Sequence, residues 1–177
     1  MQKVNFLTVA AAVAIMTLAA SCGQTSNKQT QASEENSIEK SGIGGTYWFG
    51  DGDGVSGPSG YLEVYPLDAN SALFHLEITL GEPSYNSGQV VGKMTIENNI
   101  GIYDAQKNDM ECDCILKFAF ASDELKLTAD SEHSDCDYFF GNGVFNVIER
   151  KYIRINSAIP RGYETMEGDS IMFEDLK

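Results

Sequence analysis

Side chains that could do chemistry are thinly spread along this chain. Four cysteines, two histidines and 26 carboxylates occur in 177 residues, and the densest grouping is Cys112-x-Cys114 with His133 and Cys136 downstream. Thiolates and an imidazole at short spacing suit zinc, but a stable zinc site takes four ligands at diagnostic spacing. This grouping lacks that spacing, so no metal is expected. Asp51-Gly52-Asp53-Gly54 opens like a calcium loop. An EF-hand then needs Asp or Asn at its fifth position, Gly at its sixth and a bidentate Glu at its twelfth, where this chain has Val55, Ser56 and Leu62. The stretch therefore reads as a turn-rich loop. His75 falls on the polar side of an alternating run, and His133 lies beside Glu132 and Asp135. Neither stands in a spacing that marks out a nucleophile, a base and an orienting acid. No enzymatic activity and no cofactor are expected.

The elements that must position these residues begin with an export segment. Met1 to Cys22 carries one early lysine, Lys3, an apolar run from Phe6 to Ala20 broken only by Thr8 and Thr17, and small residues ahead of a cysteine. That is the layout of a secretory signal peptide, and the run is shorter than the ~20 apolar residues that span a bilayer core. Leu18-Ala19-Ala20-Ser21-Cys22-Gly23 resembles the lipobox of bacterial lipoproteins. The resemblance implies loss of residues 1–21, a diacylglyceryl group on the Cys22 thiol and a third acyl chain on its amine. Gly23, where an aspartate would signal inner-membrane retention in enteric bacteria, points to the outer membrane. Since each buried methylene contributes about 0.8 kcal/mol, three chains give an essentially permanent anchor.

Removing 21 residues from 177 leaves 156, the size of one ordinary domain. The formal charge is −14 for the whole chain and becomes −15 once Lys3 is lost. Nucleic acid is disfavoured as a partner, because phosphate binding relies on clustered Lys and Arg. A basic protein would be favoured electrostatically, although an acidic surface also serves plain solubility. Residues 22–43 form the lipidated N-terminus and a tether. From Gly23 to Lys40 there is no aromatic residue and one large apolar one, Ile38, too little to offset the entropy of ordering. A flexible chain of about 20 residues spans roughly 25 Å.

The folded domain is expected over residues 44–177. From Gly44 onward, short alternating runs separated by turn residues predict antiparallel β structure. Gly45 to Phe49 reads as a first strand and Tyr61 to Tyr65 as a second, stopped by Pro66 and an Asp68-Ala69-Asn70 turn. In the third, Phe74, Leu76, Ile78 and Leu80 face a core, while His75, Glu77 and Thr79 face water. Val90 to Glu97 and Ile100 to Tyr103 form a hairpin on an Asn98-Asn99 turn. Cys112, Cys114, Leu116, Phe118 and Phe120 share one face of the next strand, which turns at Ser122-Asp123-Glu124 into Leu125, Leu127 and Ala129. Asp130 to Asp137 reads as an acidic loop, Val144 to Ile155 as a strand or two, and Ser170 to Phe173 as a last strand.

These runs predict an all-β fold, a small antiparallel β-barrel of about eight to nine strands, with a sandwich as the alternative. Closure is favoured because it removes exposed edges. Gly45-Thr46-Tyr47, Cys114-Ile115-Leu116-Lys117-Phe118, and Cys136 followed by Phe140-Gly141-Asn142-Gly143-Val144 resemble lipocalin-like and lysozyme-inhibitor-like small barrels of bacterial secreted proteins. The Ser-Gly-x-x-Tyr loop of one inhibitor class has no counterpart at that spacing: Ser56-Gly57 and Ser59-Gly60 precede Tyr61.

Export permits disulfides. With Cys22 lipidated, three cysteines remain. Cys112 and Cys114, two apart in a strand, point to one side and do not bond each other. Cys136 should meet one of them, and Cys114, where the apolar alternation begins, is favoured. Cys112 is then a free thiol, an alternative partner for Cys136 or an intermolecular bridge. Aromatic residues such as Trp48, Tyr61, Tyr65, Phe74, Phe118, Phe120 and Phe139 would either line a ligand cavity or fill the barrel. The functional expectation is an outer-membrane-anchored lipoprotein whose barrel binds a small apolar ligand or a basic protein. An inhibitor of a cationic enzyme such as lysozyme and a structural envelope component are the alternatives.

Overall fold

The structure, a computed structural model, describes residues 42–50, 56–140 and 149–177. The export segment, Cys22, nearly all of the tether and the Asp51-Gly52-Asp53-Gly54 stretch lie outside the described residues. Eight strands close into an antiparallel barrel in chain order: β1 (Gly45–Phe49), β2 (Ser59–Asp68), β3 (Ser71–Thr79), β4 (Ser87–Glu97), β5 (Ile100–Asp104), β6 (Cys114–Phe120), β7 (Glu124–Ser134) and β8 (Arg150–Asn156), with β1 pairing both β2 and β8. The barrel, not the sandwich, is the fold. A further hairpin, β9 (Gly162–Glu164) with β10 (Ser170–Met172), runs into a 3₁₀ turn at Phe173–Leu176.

Period-two alternation sends one row of side chains inward from each strand. Tyr47, Leu62, Val64, Phe74, Leu76, Ile78, Met94, Tyr103, Leu116, Phe118, Leu125, Leu127 and Tyr152 are all fully buried. Aromatic rings meet across the interior: Phe74 lies 4.9 Å from Phe118 and 5.2 Å from Tyr103, and Phe49 lies 4.9 Å from Tyr152. These edge-on and tilted contacts fill the barrel with side chains, as expected of eight strands.

The strands depart from the sequence reading at the ends of β2 and β7. Pro66 does not stop β2, which continues to Asp68. The pairing with β1 ends at Gly45 opposite Val64, so a residue without an N–H is tolerated where β2 has only β3 beside it. The acidic stretch after Ala129 is not a loop as far as Ser134, because β7 continues through it and rejoins β6 across a bulge, with Leu116 opposite Ala129 but Cys114 opposite Ser134. Asp137 to Phe140 then form one helical turn, α1. The Asn98-Asn99 hairpin is as read, with both residues at positive φ, 52° and 62°.

Closure is incomplete along the seam between β4 and β5. β5 pairs β4 only over Thr95 to Glu97, which leaves the earlier part of β4 without a strand on that side. The Asn108 side chain takes the strand's place: its Oδ1 accepts the Lys93 N–H at 2.8 Å, and its Nδ2 donates to the carbonyls of Lys93 (3.1 Å) and Asp104 (2.9 Å). Farther along, α1 lies on β4 at Gly88. A Cβ there would come within 2.3 Å of the Phe139 carbonyl oxygen and 2.4 Å of the Phe140 Cα.

Asp68 closes the β2–β3 turn, accepting the Asn70 N–H and the Ser71 hydroxyl, each at 2.8 Å. These bonds, the backbone one first, hold its carboxyl below the usual carboxylate value. A carboxyl lowered by folding contributes stability that is present above its unfolded value, about 3.9, and is lost as pH falls through the folded value. Asp68→Ala should therefore lower the denaturation midpoint at neutral pH and lose less than the parent on acidification below about pH 4. Parallel acid curves for the two proteins would contradict the assignment.

Candidate functional site

Outward-facing side chains of β1 to β4 form rungs set by the register. The first is Trp48, Tyr61, Glu77 and Gln89; the second is Thr46, Glu63, His75 and Val91; the third is Tyr65, Leu73 and Lys93. Chain far downstream covers part of this wall. The Tyr163 ring stacks on the His75 imidazole at 4.5 Å and 20° and meets Phe173 at 5.4 Å, and Phe173 stacks on Tyr65 at 5.5 Å and 21°. Lys177 closes the row, its Nζ donating to the Tyr65 hydroxyl at 3.0 Å. Phe173 is fully buried, and His75 and Leu73 keep only 2% and 4% of their surface.

His75 is thus not on a wet face, as the alternation of β3 suggested; the docked hairpin buries it. Its Nδ1 lies 3.1 Å from Glu63 Oε2 and its Nε2 3.4 Å from Gln89 Oε1. With a ring on one side and a partner at each nitrogen, the imidazole has no nitrogen left to serve an incoming substrate. It works as a bracket joining β2, β3, β4 and the hairpin. The local sequence around His75 holds no trace of this, because the cover comes from residues more than eighty positions later.

The hairpin stops short of the first rung. What remains is a groove of about 560 Å³ between the barrel wall and β9–β10, with Tyr61, Glu63, Glu77, Tyr163 and Glu164 on its walls. It continues into a recess of about 310 Å³ where Trp48 and Tyr61 meet edge to face, ring centroids 6.4 Å apart. Burial raises the Tyr61 phenol above its ordinary value, the Glu63 charge adds to this, and a hydrogen bond from Thr46 opposes it. Burial also raises Tyr163. Among the described residues the carboxylates of Glu77 and Glu164 pair with no lysine or arginine, and that of Glu63 faces only His75. The groove is therefore anionic with aromatic walls. No group of three His, Cys, Asp or Glu among the described residues is arranged to hold a metal ion.

The expected disulfide is present, but Cys112 lies outside the strand on which its spacing placed it. Cys114 and Cys136 form a disulfide with Cα atoms 4.7 Å apart, which ties α1 to β6. Cys112 is a free, buried thiol whose ionisation is pushed up chiefly by burial, with the charges of Asp135 and Asp113 adding to it. It does not share the β6 face, since the strand begins only at Cys114. Inside the barrel, the Tyr103 and Tyr152 hydroxyls are buried with no hydrogen-bond partner among the described residues, and burial raises both phenols well above their ordinary value. Of the aromatics named from sequence, Phe74, Phe118 and Phe120 fill the interior, Trp48, Tyr61 and Tyr65 stand on the outer wall, and Phe139 belongs to α1.

Set against models of protein families, curated proteins and solved structures, the chain matches none of them.

Two measurements check the cysteine chemistry. Iodoacetamide at neutral pH should leave Cys112 unmodified in the folded protein and label it promptly in guanidinium; rapid labelling of the native protein would refute its burial. Replacing both Cys114 and Cys136 with serine should cost on the order of 3 kcal/mol, the chain-entropy value for a loop of this length, read as a lowered denaturant midpoint with m equal to or above the parent's.

Proposed function

We propose that the chain is a lipoprotein, acylated at Cys22 and held at the outer membrane, whose barrel is a binding module that works through its outer wall on a basic protein partner. One observation carries the choice of wall over interior: the barrel axis is occupied by the chain's own aromatic side chains, while the wall offers an anionic, aromatic-lined groove. Charge supports the same reading. A protein of formal charge −15 after loss of Lys3 attracts cationic surfaces and speeds encounter with them, the more so at low ionic strength. Inhibition of a cationic enzyme is the special case in which that partner is an enzyme whose site the bound barrel blocks. No activity of the barrel's own is proposed: His75, the histidine whose side chain is described, has both nitrogens engaged.

The anchor is tested by fractionation. Cys22→Ala should move the protein from the membrane fraction to the soluble fraction, and an unchanged membrane fraction would remove the lipid anchor from the reading. The module is tested by native mass spectrometry after gentle purification. The barrel should fly at the mass of its polypeptide and acyl groups, and a co-purifying apolar molecule of stoichiometric occupancy would return the interior to the centre of the account.

A further inference from the structure

We infer that the groove between the first outer rung and the β9–β10 hairpin is the seat for an arginine side chain presented by that basic partner, held between the carboxylates of Glu77 and Glu164 against the rings of Tyr61, Tyr163 and Trp48. This rests on the reading of the barrel as a module for a basic protein and adds the place and chemistry of contact.

Three observations meet here. The wall of β1 to β4 is covered by the hairpin over its second and third rungs and left open over the first, so the groove has a floor and one built side. Glu77 and Glu164 line it from opposite sides, one on β3 and one on β9, and neither is neutralised by a lysine or arginine among the described residues. Aromatic faces stand beside them, with Trp48 meeting Tyr61 at one end and Tyr163 held against His75 at the other. A planar guanidinium matches this set better than other groups. It carries the charge the carboxylates lack, donates in two directions at once, and stacks on aromatic rings while shedding water more readily than an ammonium. An anion would be repelled, and a neutral ligand would leave the carboxylates uncompensated. The Glu63 carboxylate is already committed to His75, so it holds the hairpin in place and leaves the ion pairing to Glu77 and Glu164.

The chain has a single tryptophan, and it lies in the adjoining recess. Its emission therefore reports on this site in particular. The test uses the purified full chain in detergent with uncharged head groups, titrated with an acetylated, amidated (Gly-Arg)₄ peptide and, separately, with (Gly-Lys)₄. The arginine peptide should bind with a change in Trp48 emission, more tightly than the lysine peptide and more weakly as salt is added. Glu77→Gln and Glu164→Gln should each weaken binding on the order of tenfold, as expected for loss of one charge-assisted contact. Asp109→Asn with Glu111→Gln, which removes two charges from the β5–β6 connection where each groove variant removes one, should leave binding within about twofold. Equal losses from the groove and control variants, a silent Trp48, or a preference for lysine would overturn the proposed seat while leaving a basic partner in place. Absence of binding by either peptide at low salt would overturn both.

Discussion

A sheet rolled into a barrel must give every strand two neighbours, because an unpaired row of N–H and C=O groups is costly when buried and adhesive when exposed. Among the described residues one shortfall lies where β5 is too short to flank β4. The gap is closed with unlike parts: an asparagine amide that donates and accepts as a peptide group would, and a helical turn seated on a glycine. The disulfide then makes sense as more than a loop clasp. Cys136 immediately precedes α1, so bonding it to β6 fixes the turn that covers the exposed part of β4. The bulge in β7 is part of the same arrangement, since it brings Ser134 opposite Cys114 and so delivers the chain to the seam.

The second arrangement lies on the outside. An antiparallel barrel packed on its interior can leave its outer wall to water, yet here a row of rings from His75 through Tyr163 and Phe173 to Tyr65 turns part of that wall into a second, smaller core. The two-stranded β9–β10 sheet is too small to be stable alone, so it depends on this row for its place. Because it covers two rungs and leaves one, it converts a flat sheet face into a groove. The polar bracket under it, His75 between Glu63 and Gln89, joins three barrel strands and so fixes the hairpin to a rigid base.

Much of the barrel was legible in the sequence because its inward rows follow strict alternation: Phe74, Leu76 and Ile78 face the core as their spacing required, and Asn98-Asn99 makes the turn its residue types favour. The Cys114–Cys136 bond was legible because the apolar alternation of β6 begins at Cys114, although the expected place of Cys112 on the same strand was not found. What escaped was everything set by contacts between distant segments. Pro66 stops a strand only where a paired neighbour needs its N–H, and the end of β1 leaves one edge of β2 without that neighbour. The acidic residues after Ala129 looked like a loop because charge outweighs pattern in a local window, whereas pairing with β6 decides the matter. His75 looked solvated because polar alternation identifies an outer face but not what later covers it. The groove inherits that blindness, since its unpaired carboxylates, Glu77 and Glu164, lie 87 residues apart in the chain.

The entry of the chain into the barrel sets a direction for the whole molecule. The Arg154 guanidinium donates to the Gly42 carbonyl and to the Tyr47 hydroxyl, which itself donates to the Ile43 carbonyl at 2.8 Å. Gly42 and Ile43 are thereby fastened at the end of the barrel ringed by the turns at Ala69, Asn98 and Ser122. Any pull transmitted from upstream arrives at this knot and passes into β1, which is braced on both flanks by β2 and β8. With the anchor proposed at Cys22, this would be the moored pole, and the Trp48 rung, toward the other end of β1, would belong to the half that swings outward.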